Sequence, residues 1–305
     1  MTSLHTKYRP TTLDEVVGQD HVKKAIAAVL SAGQQQAFMF DGPSGTGKTT
    51  LARLCASQLG CSNIIEVDAA SHTGVEAMRE VAARANFASL DGGGKAFIVD
   101  ECHRLSKQAW ESLLKAIEEP PAGVFWFFCT TEPDRVLPTI RTRCVTFSLK
   151  DVPYRAILRL VASVARKEGL ELPEEVLDVA ADLANGSPRQ ALVNLATVKH
   201  CTTEDEAREA LNRARGSAEA VDLARALAKK DWTAAFKVLR SIKDEPESVR
   251  MTVFHYFVGI FMREQGAPDQ WVFTVLGQFE APSTDRNKMG DVLLRVSRCQ
   301  FKARS

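Results

Sequence analysis

The sequence predicts an α/β fold: a doubly wound parallel sheet carrying a phosphate-binding loop, followed by a small helical lid domain and an all-α C-terminal domain. Three observations predict it. Short apolar runs alternate with helix-like stretches across residues 36–150, a β/α alternation that implies a parallel sheet covered by helices. After about residue 150 the strand signal disappears and helical periods take over. The first apolar run leads directly into GPSGTGKTT, a loop that belongs between a strand and a helix.

The predicted strands are Gln36–Phe40 (QAFMF), Ile64–Ala69 (IIEVDA), Lys95–Asp100 (KAFIVD), Val124–Thr130 (VFWFFCT) and Cys144–Leu149 (CVTFSL). They are short, rich in β-branched or aromatic residues and mostly free of charge, as expected of strands buried on both faces. Between them lie helical stretches, among them Thr49–Leu59 and Ser106–Glu119. The second opens on Ser106 as its N-cap and stops at Pro120–Pro121. Helical periods in 151–199 are broken by Pro173 and the Asn185–Gly186–Ser187–Pro188 turn. Further breaks fall near Lys230–Asp231, Asp244–Pro246 and Gly266–Pro268. The expected domains are residues 1–149, 150–212 and 213–305. Val253, Phe254, Tyr256, Phe257, Ile260 and Phe261 are expected to form a helix-bundle core in the last. Gly92–Gly94 precedes a strand rather than opening a helix, so it reads as a loop and not a second phosphate site.

Composition narrows the function classes. Apolar residues make up 45% and charged residues 25% of the 305, ordinary for a soluble globular protein. The net charge of +1, from 39 basic and 38 acidic side chains, means that any nucleic-acid contact rests on a local patch rather than a global field. MTSLHTKYRP has no apolar targeting core. Thr252–Met262, the most apolar long stretch, is short of the roughly 20 residues a bilayer requires and reads as a buried helix. A cytoplasmic location with no membrane contact is expected. The seven cysteines, at 55, 61, 102, 129, 144, 201 and 299, include no C-x-x-C pair and read as free thiols, with no zinc site.

Two motifs carry chemistry. Gly42, Gly47, Lys48 and Thr49 match G-x-x-x-x-G-K-[ST], and Pro43, Ser44, Gly45, Thr46 and Thr50 complete the loop. Its glycines let backbone N–H groups converge on phosphates at the positive end of the following helix. Lys48 reaches the β- and γ-phosphates of ATP and Thr49 offers a hydroxyl to Mg²⁺. The second motif, KAFIVDECH, ends an apolar strand in Asp100 and Glu101. Alternation points successive side chains apart, so Asp100 holds Mg²⁺ while Glu101 acts as general base on water.

The ordered series KYRP…VVGQ, GPSGTGKTT, IIEVDAAS, FIVDECHRLSKQAWESLLKAIEEPP, CTTEPDRVLPTIRTRC and GSPRQAL, over residues 7–195, resembles the clamp-loader ATPases of the AAA+ class. It is similar to the bacterial tau/gamma family and, more distantly, to the small subunits of replication factor C. The resemblance implies an ATPase that opens a sliding clamp and places it on primer–template DNA. It also implies an assembly with other loader subunits, expected to be pentameric, and a C-terminal collar that holds them together. Thr131 corresponds to the sensor of the γ-phosphate, and Arg143 to an arginine finger acting in trans on a neighbour's ATP. Arg189 corresponds to the lid arginine acting in cis, and Tyr8, Arg9, Pro10 and Val17 to the adenine pocket. His72, Arg79, Lys107 and Lys115 align with DNA-backbone contacts, although a solvated helix face accounts for each lysine equally well. Asn86–Leu90 aligns with a clamp-facing segment, in which Phe87 is either an exposed anchor or a core side chain.

Two departures stand out. The chain runs from LGC through Ser62–Asn63 into IIEVDA, without the four-cysteine zinc module of the tau/gamma family. It also ends soon after its third predicted domain. Both suggest a minimal loader of the kind a phage encodes. The alternatives are another AAA+ machine acting on DNA, such as a branch-migration motor or a helicase loader, and a structural subunit that binds ATP with negligible hydrolysis. A DExH helicase, suggested by Asp100–His103, lacks the second core it requires.

Overall fold

The five apolar runs form one parallel sheet in a computed structural model that describes residues 3–71, 74–85, 87, 92–215, 218–242, 246–263, 269–281 and 288–304. The chain divides into two compact units, Met1–Lys199 and His200–Ser305. The first contains α1 (Leu4–Lys7), α2 (Asp20–Ala32), β1 (Ala37–Asp41), α3 (Lys48–Gln58), β2 (Cys61–Asp68), α4 (Val75–Ala85) and β3 (Gly94–Asp100). There follow α5 (Lys107–Glu118), β4 (Val124–Thr130), α6 (Pro138–Arg141), β5 (Val145–Ser148), α7 (Tyr154–Lys167), α8 (Glu174–Asp182) and α9 (Pro188–Val198).

The strand order is β2-β3-β4-β1-β5, with every pair parallel. Because side chains alternate along a strand, each central strand feeds two cores. Met39, Phe97, Val99, Trp126 and Phe128 point to one face, beneath α4 and α5. Phe38, Phe40, Ile98, Phe127 and Cys129 point to the other, where Ile26, Leu51 and Cys55 of α2 and α3 cover them. Rings stack across neighbouring strands, with centroids 4.6 Å apart for Phe97–Trp126 and 5.1 Å for Phe38–Phe127. Each such buried side chain contributes roughly 1.5–3 kcal/mol.

Burial on both faces holds for β1, β3 and β4 but not for the outer strands. β2 lies at one edge, with Ser62, Asn63, Ile64, Glu66 and Asp68 exposed. At the other edge, β5 buries only Phe147. An edge strand has a neighbour on one side only, and helices cover it less completely than the centre. Predicted strand ends otherwise agree to within a few residues. Ser106 caps α5 as expected, its Oγ accepting from the Ala109 N–H at 3.2 Å, a contact worth roughly 1 kcal/mol.

The topology sets the site. β4 lies between β3 and β1, and Thr130 at its end is in register with Asp41 at the end of β1. The loop after β1, the acids at the end of β3 and the residues after β4 therefore meet at one edge, the usual place for a ligand in an open parallel sheet. In the same unit, α7, α8 and α9 pack on one another and α9 also meets α1. Gly186, at φ 75°, starts the α9 turn, and its carbonyl accepts from Val152 N–H at 2.9 Å.

The second unit contains α10 (Glu204–Arg215), α11 (Ala218–Ala228), α12 (Trp232–Ser241), α13 (Pro246–Arg263), α14 (Gln270–Phe279) and α15 (Lys288–Arg304). Leu223, Leu227, Val253, Phe257, Val275, Phe279 and Val296 form its core. The predicted cluster is only partly central. Val253 and Phe257 are buried, Phe254, Tyr256 and Ile260 pack at the margin, and Phe261 and Met262 are exposed, Met262 at 76%. The stretch is thus not a fully buried helix: in its last turn Phe261 meets the Phe273 ring of α14 at 5.4 Å between centroids, and that ring is itself exposed. Two buried arginines cap the end of α14. Arg250 donates to the Phe279 and Glu280 carbonyls, and Arg295 to that of Gln278, placing positive charge where a helix C-terminus favours it. Among the described residues, no helix is long and apolar enough to cross a membrane.

Candidate active site

The phosphate loop folds as its glycines require. Gly42, Gly45 and Gly47 have φ of 136°, 74° and 108°, a region side chains disfavour. Space matters as well: a Cβ on Gly42 would lie 2.5 Å from the Leu149 carbonyl oxygen, and one on Gly45 would lie 2.1 Å from Ser187 Oγ and 3.3 Å from Arg189 Cβ. The loop is therefore pressed against the start of α9. A Gly45→Ala variant is expected to bind ATP about tenfold more weakly, a loss of roughly 1.4 kcal/mol. Calorimetric titration with ATP checks this; wild-type affinity would contradict the tight approach.

Lys48, 6% exposed, donates from Nζ to the carbonyls of Gly42 and Pro43, both at 2.9 Å. Burial lowers its pKa, while the carboxylates of Glu101, Asp100 and Asp41 oppose the shift. Thr49 donates from Oγ1 to Asp100 Oδ2 at 2.8 Å, and Asp100 Oδ1 accepts from Glu101 N–H at 3.0 Å. This hydroxyl–carboxylate pair is a hard-oxygen set that fits Mg²⁺.

Glu101 adopts φ 48°, ψ 39°, left-handed values uncommon outside glycine. It turns the chain from β3 into a short 3-10 segment, Cys102–Arg104, and its carboxylate stays about one-third exposed. His103, which sequence reasoning did not select, is buried beside it. Its Nδ1 lies 3.1 Å from Thr130 Oγ1 and 3.5 Å from Glu101 Oε2, and its Nε2 lies 3.3 Å from Glu132 Oε1.

Lys48, Thr49, Asp100 and Glu101 open onto a cleft of about 990 Å³, counting the space continuous with solvent. Tyr8, Arg9, Pro10 and Val17 line one wall, residues 44–50 and Asp100–Glu101 the floor, and Arg189 the α9 side. Leu160 of α7 and Leu192 of α9 supply apolar lining, with His5, Glu15, Val16 and Pro188 around them. Sequence reasoning had not assigned Leu160 or Leu192 to the site; Leu192 lies inside the GSPRQAL block, whereas nothing local marks Leu160. Arg9 has its pKa lowered by burial first, then by the nearby guanidinium groups of Arg53 and Arg189, with Glu66 opposing. Arg9, Arg189 and Lys48 line the cleft, a set of cations that favours a polyphosphate. Tyr8 donates its hydroxyl to Glu168, which also pairs with Lys7 at 2.7 Å; these contacts tie the N-terminal wall to the end of α7.

Gly42 and Pro43 do not line the cleft; they hold Lys48. Thr131 and Arg143 do not line it either. Thr131 is half-buried just past β4, while the hydroxyl of its neighbour Thr130 faces His103. Arg143 follows α6, where its Nη2 lies 2.5 Å from Glu118 Oε1 and its Nη1 donates to the Thr139 carbonyl at 2.6 Å. Arg79 pairs with Glu76 at 3.2 Å, and Lys107 and Lys115 are exposed on α5. His72 and most of the predicted clamp-facing segment lie outside the described residues. Phe87 is 69% exposed, which removes the core reading of this residue. The Lys95 ammonium holds its carbonyl at 2.8 Å and that of Arg84 at 3.0 Å. All described cysteines are free, and burial pushes the Cys61 thiol up to about 11 and the Cys55 thiol to about 12.

The chain is similar to several known proteins. Residues 63–153 match the family described as DNA polymerase III, delta subunit, and residues 12–92 match magnesium chelatase, subunit ChlI. The DNA polymerase III subunit gamma/tau of Mycobacterium tuberculosis is 31% identical over 331 aligned residues, covering 97% of this chain and 56% of the relative. The subunit tau of Escherichia coli is 35% identical over 213 residues, covering 62% of this chain and 33% of the relative. The chain thus spans about half the length of the gamma/tau relatives that it matches end to end. Among solved structures, the Thermotoga maritima RuvB Holliday junction branch migration motor superposes with a TM-score of 0.59 at 22% identity, covering 73% of this chain and 80% of that one. At that identity the likeness concerns the fold alone.

Proposed function

Since the chain has the AAA+ fold and is similar to bacterial DNA polymerase III gamma/tau subunits along 97% of its length, we propose that it is an ATPase subunit of a replication sliding-clamp loader. The observation that carries this reading is a division of the catalytic groups. Lys48, Thr49, Asp100, Glu101 and Arg189 converge on one cleft, whereas Arg143 lies outside that cleft and pairs with Glu118. That position fits an Arg143 that completes the site of a neighbouring subunit rather than its own.

In this reading the loop N–H groups and Lys48 hold the phosphates of ATP. Thr49 and Asp100 hold Mg²⁺, which neutralises charge on the β- and γ-phosphates. Glu101 takes a proton from the attacking water and Arg189 reaches the nucleotide from the lid formed by α7–α9; Thr131, one residue past β4 and outside the cleft lining, keeps the sensor role that the resemblance implies. Arg143 enters the neighbour's cleft and stabilises transition-state charge, so hydrolysis depends on assembly. The helices of residues 213–305 act as the collar of a pentamer, a role that the exposed Phe273, Leu294 and Phe301 fit. Arg79, Lys107 and Lys115 track the DNA backbone without reading sequence, and Phe87 is an anchor toward the clamp.

The test is the ATPase rate with primed DNA, with a candidate clamp, and with both. Stimulation that is greatest with both is expected. Stimulation by DNA alone, unaffected by any cognate clamp, would favour a branch-migration or helicase-loading machine. ATP binding without turnover under every condition would favour a structural subunit.

A further inference from the structure

His103 has no role in the scheme above, yet it is a buried polar side chain placed beside a group that does, Glu101. It is 8% exposed and sits two residues beyond Glu101. Its two ring nitrogens face opposite ways. Nδ1 meets Thr130 Oγ1 at 3.1 Å and Glu101 Oε2 at 3.5 Å, while Nε2 meets Glu132 Oε1 at 3.3 Å. Thr130 Oγ1 also accepts from the Glu132 N–H at 2.9 Å. The imidazole therefore joins the end of β3 to the end of β4 through side chains alone.

The backbone indicates why such a joint is needed. A glutamate at φ 48° is in a sparsely populated conformation, which persists only where its surroundings over-determine it. Asp100 fixes the Glu101 N–H, and the buried His103 ring lies 3.5 Å from the Glu101 carboxylate. From Thr130 and Glu132 the chain continues through α6 to Arg143, so the contact also links the acid of one cleft to the segment that carries the finger for another.

We propose that His103 is a positioning residue for Glu101, holding its carboxylate in register with the Thr130–Glu132 segment so that the attacking water is met in line. The proposal rests on the reading of Glu101 as general base. It concerns placement, so it predicts a loss in the chemical step and none in nucleotide binding.

The experiment uses the full chain with primed DNA and Mg²⁺, measuring single-turnover ATP hydrolysis and the affinity for a fluorescent ATP analogue. His103→Ala is expected to slow hydrolysis by about 10- to 100-fold, the scale of an ångström-level misplacement, with analogue affinity unchanged. His103→Asn, whose amide nitrogen reaches the position of Nδ1, is expected to recover more activity than His103→Gln, which reaches that of Nε2. In a Glu101→Gln background, His103→Ala should add nothing, because residues that act as a unit are not additive. Wild-type hydrolysis in His103→Ala, a loss that tracks analogue affinity, or full additivity with Glu101→Gln would each overturn the proposal. If His103→Ala does not fold, the order of the Asn and Gln variants decides, and Gln above Asn overturns it. Equal hydrolysis by wild type and Glu101→Gln would instead remove the general-base assignment on which the proposal stands.

Discussion

Replacing Arg143 with alanine is expected to leave ATP binding intact and to lower turnover of the assembled protein by about 10³-fold or more, the scale of an arginine finger in related NTPases. Both halves follow from where the residue lies. Arg143 lines no part of the cleft formed by its own chain, so removing it takes nothing from the affinity of that cleft. If it serves a neighbour, its loss removes charge stabilisation from every site in the assembly. A mixing experiment separates this from a folding defect. Arg143→Ala chains retain intact clefts, and Lys48→Ala chains retain intact fingers, so an equimolar mixture should hydrolyse ATP faster than either variant alone. No recovery in the mixture, or full activity in Arg143→Ala alone, would count against action in trans. Glu118→Gln gives a companion measurement. Its pair with Arg143 is 2.5 Å long, and both side chains are more than one-third exposed. Releasing it should shift the protein concentration for half-maximal ATPase downward by no more than about fivefold, since exposed ion pairs are worth roughly 0–1 kcal/mol.

The second large effect is expected at Glu101. Glu101→Gln preserves shape and removes the base, and general-base catalysis contributes about 10²- to 10⁴-fold. Hydrolysis measured by rapid quench should fall within that range, while affinity for ATP with Mg²⁺ holds, because Thr49 and Asp100 remain paired at 2.8 Å. Asp100→Asn should behave differently. It weakens the hard-oxygen set itself, so its defect should appear as a higher Mg²⁺ requirement. If Glu101→Gln showed the metal-dependence defect and Asp100→Asn did not, the two roles would have to be exchanged.

The difference between what the sequence shows and what the structure adds follows the range of the interactions. Strand and helix identities were legible because side-chain period, N-caps and prolines act within a few residues. The outer strands were read as more buried than they are, since composition does not reveal which strand has one neighbour rather than two. The end of α13 differs for a similar reason: Phe261 meets Phe273 of α14, but both rings lie at the surface, and apolar composition does not reveal how fully a neighbour covers such a turn.

The same division runs through the candidate site. By itself, the sequence determined the phosphate loop, with its left-handed glycines and Lys48, and the placement of Asp100 and Glu101 at a strand end. The glycine conformations are local and set by residue type, and the strand end follows from side-chain period, although the left-handed backbone of Glu101 does not. Tertiary structure alone decided that Leu160 and Leu192 line the cleft, that Gly45 is pressed against Ser187, that Arg143 rests on Glu118, and that His103 stands between Glu101 and Glu132. Each of these is a contact made across separate elements. It depends on sheet order and on the docking of α9 against the loop, and no single segment of the chain encodes it.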